Sequence, residues 1–159
     1  VSTGKAGTPN AILEHTSTGN VVDVSINGVS LPEGGYNALV AGLYGVPVVF
    51  AAGDRALVDQ IRGLLGPIGA VAVKSEIGGD AELGLSPKTA EQQIRSGVEQ
   101  AIRNRANAKV YRLSPPYAMS LKVKQERPLF PGAQKVRDGE FTFTSPDLLA
   151  VLAAFNAMK

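Results

Sequence analysis

The segment 46–73 constrains this chain most. An apolar run of strand length, VPVVFAA at 46–52, leads through Gly53 into Asp54 and a helical stripe of Leu57, Val58, Ile61, Leu64 and Leu65. Gly66-Pro67 stops that helix, and a second short apolar run follows at 70–73. Strand, helix, strand in so few residues is a βαβ unit, whose crossover is expected to be right-handed. The near-continuous apolar character of 46–52 predicts a strand covered on both faces, as in a parallel sheet. Pro47 sits near its start, where a missing N–H is tolerated. Asp54 is placed to cap the helix.

The flanking segments read differently. Residues 1–10 are a Gly-, Ser- and Pro-rich loop, and 11–15 is a short apolar stretch expected as a strand ending at His15. Val22, Val24 and Ile26 alternate with Asp23 and Ser25, the period of a half-buried strand. Asn27-Gly28 then supplies a tight turn and 29–31 the returning arm. Pro32 and Glu33 suit the first turn of a helix carrying Leu39, Val40 and Leu43 and stopped by Gly45. Gly34, Gly35, Ala38, Ala41 and Gly42 make that helix thin enough for close approach to a neighbour. Residues 78–85 read as a loop. Ser86-Pro87 opens a long helix burying Ala90, Ile94, Val98, Ala101 and Ile102. Met119, Leu121 and Val123, and then Phe141 and Phe143, mark two strands buried on one side. Asp147 caps a terminal helix with Leu148, Leu149, Val151, Leu152 and Phe155. The expected class is α/β: a parallel three-layer portion around 46–73, followed by a smaller α+β portion with antiparallel strands around 110–144.

Composition removes several function classes. Sixteen basic residues against fourteen acidic ones leave a net charge of only +2. The basic residues are scattered, so nucleic acid is not expected as a partner. The absence of cysteine excludes thiolate zinc sites and cysteine nucleophiles. No stretch of membrane-spanning length and apolarity occurs, so no membrane partner is expected. The compartment stays open between cytoplasm, which is preferred, and export. The chain begins at Val1 rather than Met, so a preceding segment is expected.

Few residues could carry chemistry. His15 is the sole histidine and precedes the polar stretch Thr16-Ser17-Thr18-Gly19. A strand end opening into a polar loop is where α/β sheets place ligands. A lone histidine is nonetheless more often a surface residue without a task. Glu33 lies among Pro32, Gly34 and Gly35, which leave room for a metal or substrate; it could equally be a solvated acid rewarded by the helix dipole. Lys74 follows the 70–73 strand and could be partly desolvated beside a site, or simply solvated at a strand end. Glu76 and Asp80 are nearby carboxylates, but Gly78-Gly79-Asp80 lacks the spacing of a phosphate cradle. Asp54 reads as a helix cap. A nucleophilic pairing of Ser17 with His15 lacks an orienting acid.

Taken together, Gly7-Thr8-Pro9, His15-Thr16-Ser17, Ile26-Asn27-Gly28, Glu33, Asn37-Ala38, Gly45-Val46-Pro47-Val48, Ala52-Gly53-Asp54, Ala72-Val73-Lys74 and Leu85-Ser86-Pro87 resemble the D-aminopeptidase family of the dipeptide-transport operon. The likeness is strongest over 6–105. It implies a zinc metallopeptidase cleaving short peptides, preferring N-terminal D-residues and assembling into homo-oligomeric rings. By that resemblance His15 matches the histidine proposed as nucleophile or base, Glu33 a carboxylate ligand of a two-zinc centre, and Lys74 a lysine recurring beside the site. The family's other ligands lie mostly upstream, and one ligand histidine falls at Thr3, whose hydroxyl cannot replace imidazole at zinc. The whole of 1–159 therefore reads as a single domain of this kind lacking its N-terminal metal-binding segment. The alternative is a non-catalytic, self-assembling α/β module derived from the same fold.

Overall fold

The computed structural model describes residues 4–78 and 81–159. Thr3, Gly79 and Asp80, singled out above, lie outside the described residues. In chain order the elements are β1 (Val21–Ile26), β2 (Val29–Ser30), α1 (Glu33–Leu43), β3 (Phe50–Asp54), α2 (Arg55–Leu65), β4 (Gly69–Gly78), β5 (Ala81–Gly84), α3 (Pro87–Arg103), β6 (Tyr117–Val123), β7 (Gln134–Arg137), β8 (Glu140–Ser145) and α4 (Leu148–Met158). They gather into two compact units. The first takes residues through Glu14 and Pro32–Arg112; the second takes His15–Leu31 and Leu113–Lys159.

The first unit is the expected strand–helix–strand. Its sheet has the order β3-β4-β5, with β3 and β4 parallel and β4 and β5 antiparallel. Leu57, Ile61 and Ile68 form a core against Val48, Ala51 and Leu65, which seats α2 on one face. Phe50 points the other way along β3 and lies close to Gly97 of α3. Helices thus flank both faces, giving three layers. The expectation that β3 is wholly covered is corrected, because Phe50, Ala51 and Ala52 are only half-buried. The strand also begins at Phe50 rather than at 46. The Val46 amide donates to the Ala41 carbonyl and the Gly45 amide to Gly42, with Gly45 at φ 71. That is a Schellman stop, so the first residues of the apolar run finish α1 instead of pairing.

The thinness of α1 has a packing reason. A Cβ on Gly34 would stand 2.7 Å from Ile61 Cδ1, and one on Gly42 would stand 2.1 Å from the Tyr111 carbonyl oxygen. The Arg112 Nε–H donates to the Gly42 oxygen at 3.0 Å. The buried face is accordingly Gly35, Ala38, Leu39 and Gly42, while Leu43, expected inside, is exposed. α3 is capped by Ser86 as expected, but only Ala101 of its apolar face is fully buried and Ile102 is exposed.

Two further expectations change in this unit. Residues 11–15 are not a strand: Leu13 has φ 52 and is exposed, and the Ile12 amide donates to Asp54 Oδ2 rather than to a neighbouring strand. Within the expected loop at 78–85, Gly78 ends β4 and Ala81–Gly84 is a strand that pairs back on it. Lys74 therefore lies inside a ten-residue strand and not beyond its end.

The second unit is the antiparallel portion, with sheet order β2-β1-β6-β8-β7. Asn27 and Gly28 both have positive φ, the signature of a type I′ turn. Asn27 does more than turn the chain. Its Nδ2 donates to the Ser114 oxygen and its Oδ1 accepts from the Ala118 amide, both at 2.8 Å. β1 departs from strict alternation: the register shifts between Val21 and Asp23, so Val21 is buried with Val24 and Ile26 while Val22 faces out. A bulge explains this, since one extra residue moves the preceding side chains to the other face. Met119, Leu121, Val123 and Phe141 form the sheet's inner face, closed by Leu148, Val151, Phe155 and Met158 of α4. Asp147 caps that helix through the Leu149 amide at 2.9 Å.

Candidate functional site

Three side chains were singled out, and the two units divide them. His15 opens the second unit; Glu33 and Lys74 belong to the first.

His15 is half-buried and precedes a tight turn. Thr16 is wholly buried, and the Thr18 amide donates to its carbonyl at 2.8 Å. Ser17 between them has φ 68, a left-handed conformation costly for a residue with a Cβ. Lys159 Nζ donates to Ser17 Oγ at 2.7 Å and also lies 5.4 Å from the Phe155 ring centroid. The end of α4 thereby pins the turn next to the histidine. Nothing in the sequence announces this contact, since its partners are 142 residues apart.

Glu33 is the first residue of α1, after a Pro32 cap that offers no side-chain hydrogen bond. Its half-buried carboxylate sits where the helix dipole favours negative charge. Lys74 is paired: its Nζ lies 3.0 Å from Glu82 Oε2, with four-fifths of its side chain covered. On the other side of β4 its register partner is Asp54. The Asp54 carboxylate is fully buried, accepting from Leu57 N at 2.7 Å through Oδ1 and from Ile12 N at 3.3 Å through Oδ2. The helix cap was legible in the sequence; the clamp on the N-terminal segment was not. Gln60 reinforces that clamp by accepting from the Lys5 amide at 3.1 Å.

A cleft of about 1230 Å³ opens in the first unit. Gln93, Ser96 and Gln100 of α3 line it with Arg62, over a floor of Ile68 and Val71. None of His15, Glu33 or Lys74 borders it.

The described residues do not by themselves fit a two-zinc centre. Among them no group of three or more His, Cys, Asp or Glu side chains is placed to hold a metal ion. Two zinc ions take several nitrogen and oxygen ligands at about 2.0–2.2 Å.

The chain's relatives are nevertheless clear. The model of the D-aminopeptidase family of peptidases matches residues 3–157. A curated D-aminopeptidase of Bacillus subtilis (strain 168) is 30% identical over 163 residues, covering 97% of this chain and 58% of that protein. The solved structure of the zinc-dependent D-aminopeptidase DppA from Bacillus subtilis, described as a self-compartmentalizing protease, superposes with a TM-score of 0.88. That match is 25% identical and covers 98% of this chain and 60% of that one. The chain spans about three-fifths of the length of these relatives. With a family model matched along nearly its entire length, the chain belongs to the D-aminopeptidase family.

Proposed function

We propose that this chain is the greater part of a zinc-dependent aminopeptidase that hydrolyses short peptides, with preference for an N-terminal D-residue, and that works as a homo-oligomer. The observation that carries the reading is the likeness, along 98% of the chain, to a zinc-dependent D-aminopeptidase described as self-compartmentalizing. The remaining metal ligands would come from outside the described residues.

In this reading His15 moves the proton during attack on the peptide carbonyl. Imidazole suits the task because its ordinary pKa lies near neutrality. The buried Thr16 and the Lys159–Ser17 contact support it by fixing the backbone beside the ring. Glu33 contributes a carboxylate to the metal from the first turn of α1. Lys74 supplies a cation held in place by Glu82.

Metal content and peptidase activity test the proposal together. Zinc retained through gel filtration, with cleavage of D-alanyl amide in preference to the L-form, is the expected result. Assembly with neither zinc nor turnover would instead identify a non-catalytic, self-associating module.

A further inference from the structure

The sheet edges of this chain are protected unequally. An exposed strand edge offers unpaired N–H and C=O groups to any other strand, and proteins blunt such edges with lysine, proline or very short strands. β2 has only two residues. β7 carries Lys135 and Arg137, each engaged in ion pairs. β5 has no lysine or proline, and its one charge, Glu82, is drawn onto Lys74 of β4. Its four residues, Ala81, Glu82, Leu83 and Gly84, are all exposed, and Leu83 shows 67% of its surface.

The register of β5 on β4 states which groups face outward. Leu85 N donates to the Val73 oxygen at 2.9 Å, and Leu83 lies opposite Ser75. Hydrogen-bonded pairs alternate along an antiparallel ladder, so Leu83 and Leu85 spend their backbone groups on β4. The backbone groups of Glu82 and Gly84 therefore point away from the sheet. On the side chains the order is complementary. Leu83 and Ser75 share one face; Lys74, Glu76, Glu82 and Gly84 share the other.

We propose that β5 is a self-pairing edge, in which two copies of this chain join antiparallel through Ala81–Gly84 about a twofold axis at Leu83. The inference rests on the self-association put forward under Proposed function and assigns it a surface. Three features select a second copy of the chain as occupant. With the axis at Leu83, Glu82 of each copy meets Gly84 of the other, and these are the residues whose amides and carbonyls face outward. The two Leu83 side chains then meet as a non-hydrogen-bonded pair, where cross-strand side chains come closest. On the opposite face Lys74 lies level with its own Gly84, and so with Glu82 of the second copy. Gly84 carries no side chain to stand between them, so the ammonium that holds Glu82 of its own strand at 3.0 Å is open to a second carboxylate. The pairing is isologous, as a twofold contact must be. A strand of this length buries far less than the ~800 Å² per partner of a standard interface, so it acts as one contact of a larger assembly.

The chain has no cysteine, which makes the test direct. In the Leu83→Cys variant, paired copies bring the two Cα atoms to about 4.5 Å, within disulfide range. Mild oxidation is expected to convert most of this variant to a covalent dimer. Val136→Cys, on the exposed β7 edge, is expected to remain mostly monomeric on a denaturing gel. Leu83→Arg is expected to lower the assembly mass measured by light scattering. An assembly that leaves Leu83→Cys uncrosslinked, or a control that crosslinks equally, would overturn the pairing. So would a Leu83→Cys variant that stays monomeric because a peptide or another segment occupies the edge. Peptidase activity in the reduced Leu83→Cys variant, together with no crosslinking when it is oxidised, would sink the pairing alone and leave the hydrolase reading standing.

Discussion

Asp54 and Lys74 sit opposite one another across the parallel strands β3 and β4, yet each charge is committed to a separate task. The carboxylate is buried on the amides of Leu57 and Ile12, whereas the ammonium reaches Glu82 on the next strand. One row of the sheet thus ties the N-terminal segment to α2 and the β4–β5 hairpin to the rest of the unit.

Removing the first of these ties should be costly. Asp54→Ala loses a helix cap, worth about 1 kcal/mol, and leaves the buried Ile12 amide without this acceptor, at about 1–3 kcal/mol. Urea denaturation should therefore show a loss on the order of 2–4 kcal/mol. Asp54→Asn, which keeps an acceptor oxygen, should lose less. Equal stability of the alanine variant and the parent would show that the clamp carries no energy.

The glycines separate into those needed for close approach and those that are not. Gly42→Ala places a methyl against the Tyr111 carbonyl, so it should destabilise by roughly 1–3 kcal/mol despite alanine's better helix propensity. At Gly63 in α2, an alanine methyl would meet nothing within 4 Å. Gly63→Ala should therefore stabilise by roughly 0.5–1 kcal/mol. Thermal melts of the two variants should move in opposite directions.

The β7–β8 hairpin carries a testable pH dependence. Hydrogen bonds from Lys135, and then from the Gly139 amide, hold the Glu126 carboxyl below its ordinary value. Lys135 lowers Asp138 in the same way, and Arg137 lowers Glu140. A carboxyl lowered by folding stabilises the folded chain above its ordinary value of about 4 and loses that effect as pH falls through the lowered one. Carboxyl titration by NMR should show all three depressed. Lys135→Ala should return Glu126 and Asp138 upward while leaving Glu140 in place. Glu126 and Asp138 are exposed, so added salt should weaken the effect most at these two.

Local signals in the sequence carried much of this fold. Asn27-Gly28, Ser86-Pro87, Asp54 and Asp147 each act where their chemistry places them, because turns and caps are decided within a few residues. Asp138-Gly139 before Glu140 is a hairpin signal of the same kind, and it accounts for β7, whose exposed residues carry no apolar alternation to announce a strand. Other features depended on distant partners. The start of β3 was set by the end of α1, through Val46 and Ala41. The Ile12 amide was claimed by Asp54, and β5 needed β4 beside it. At the candidate site, residue identity and family pattern singled out His15, Glu33 and Lys74. Lys159 against Ser17 is a tertiary contact that no spacing encodes.

The most direct measurement is turnover of D-alanyl amide by the zinc-loaded protein and by its His15→Ala variant, with bound zinc determined in both. The account predicts hydrolysis by the parent and a loss of at least ~10²-fold in the variant, the scale of a positioned general base, at unchanged zinc content. Undiminished hydrolysis by His15→Ala would contradict it.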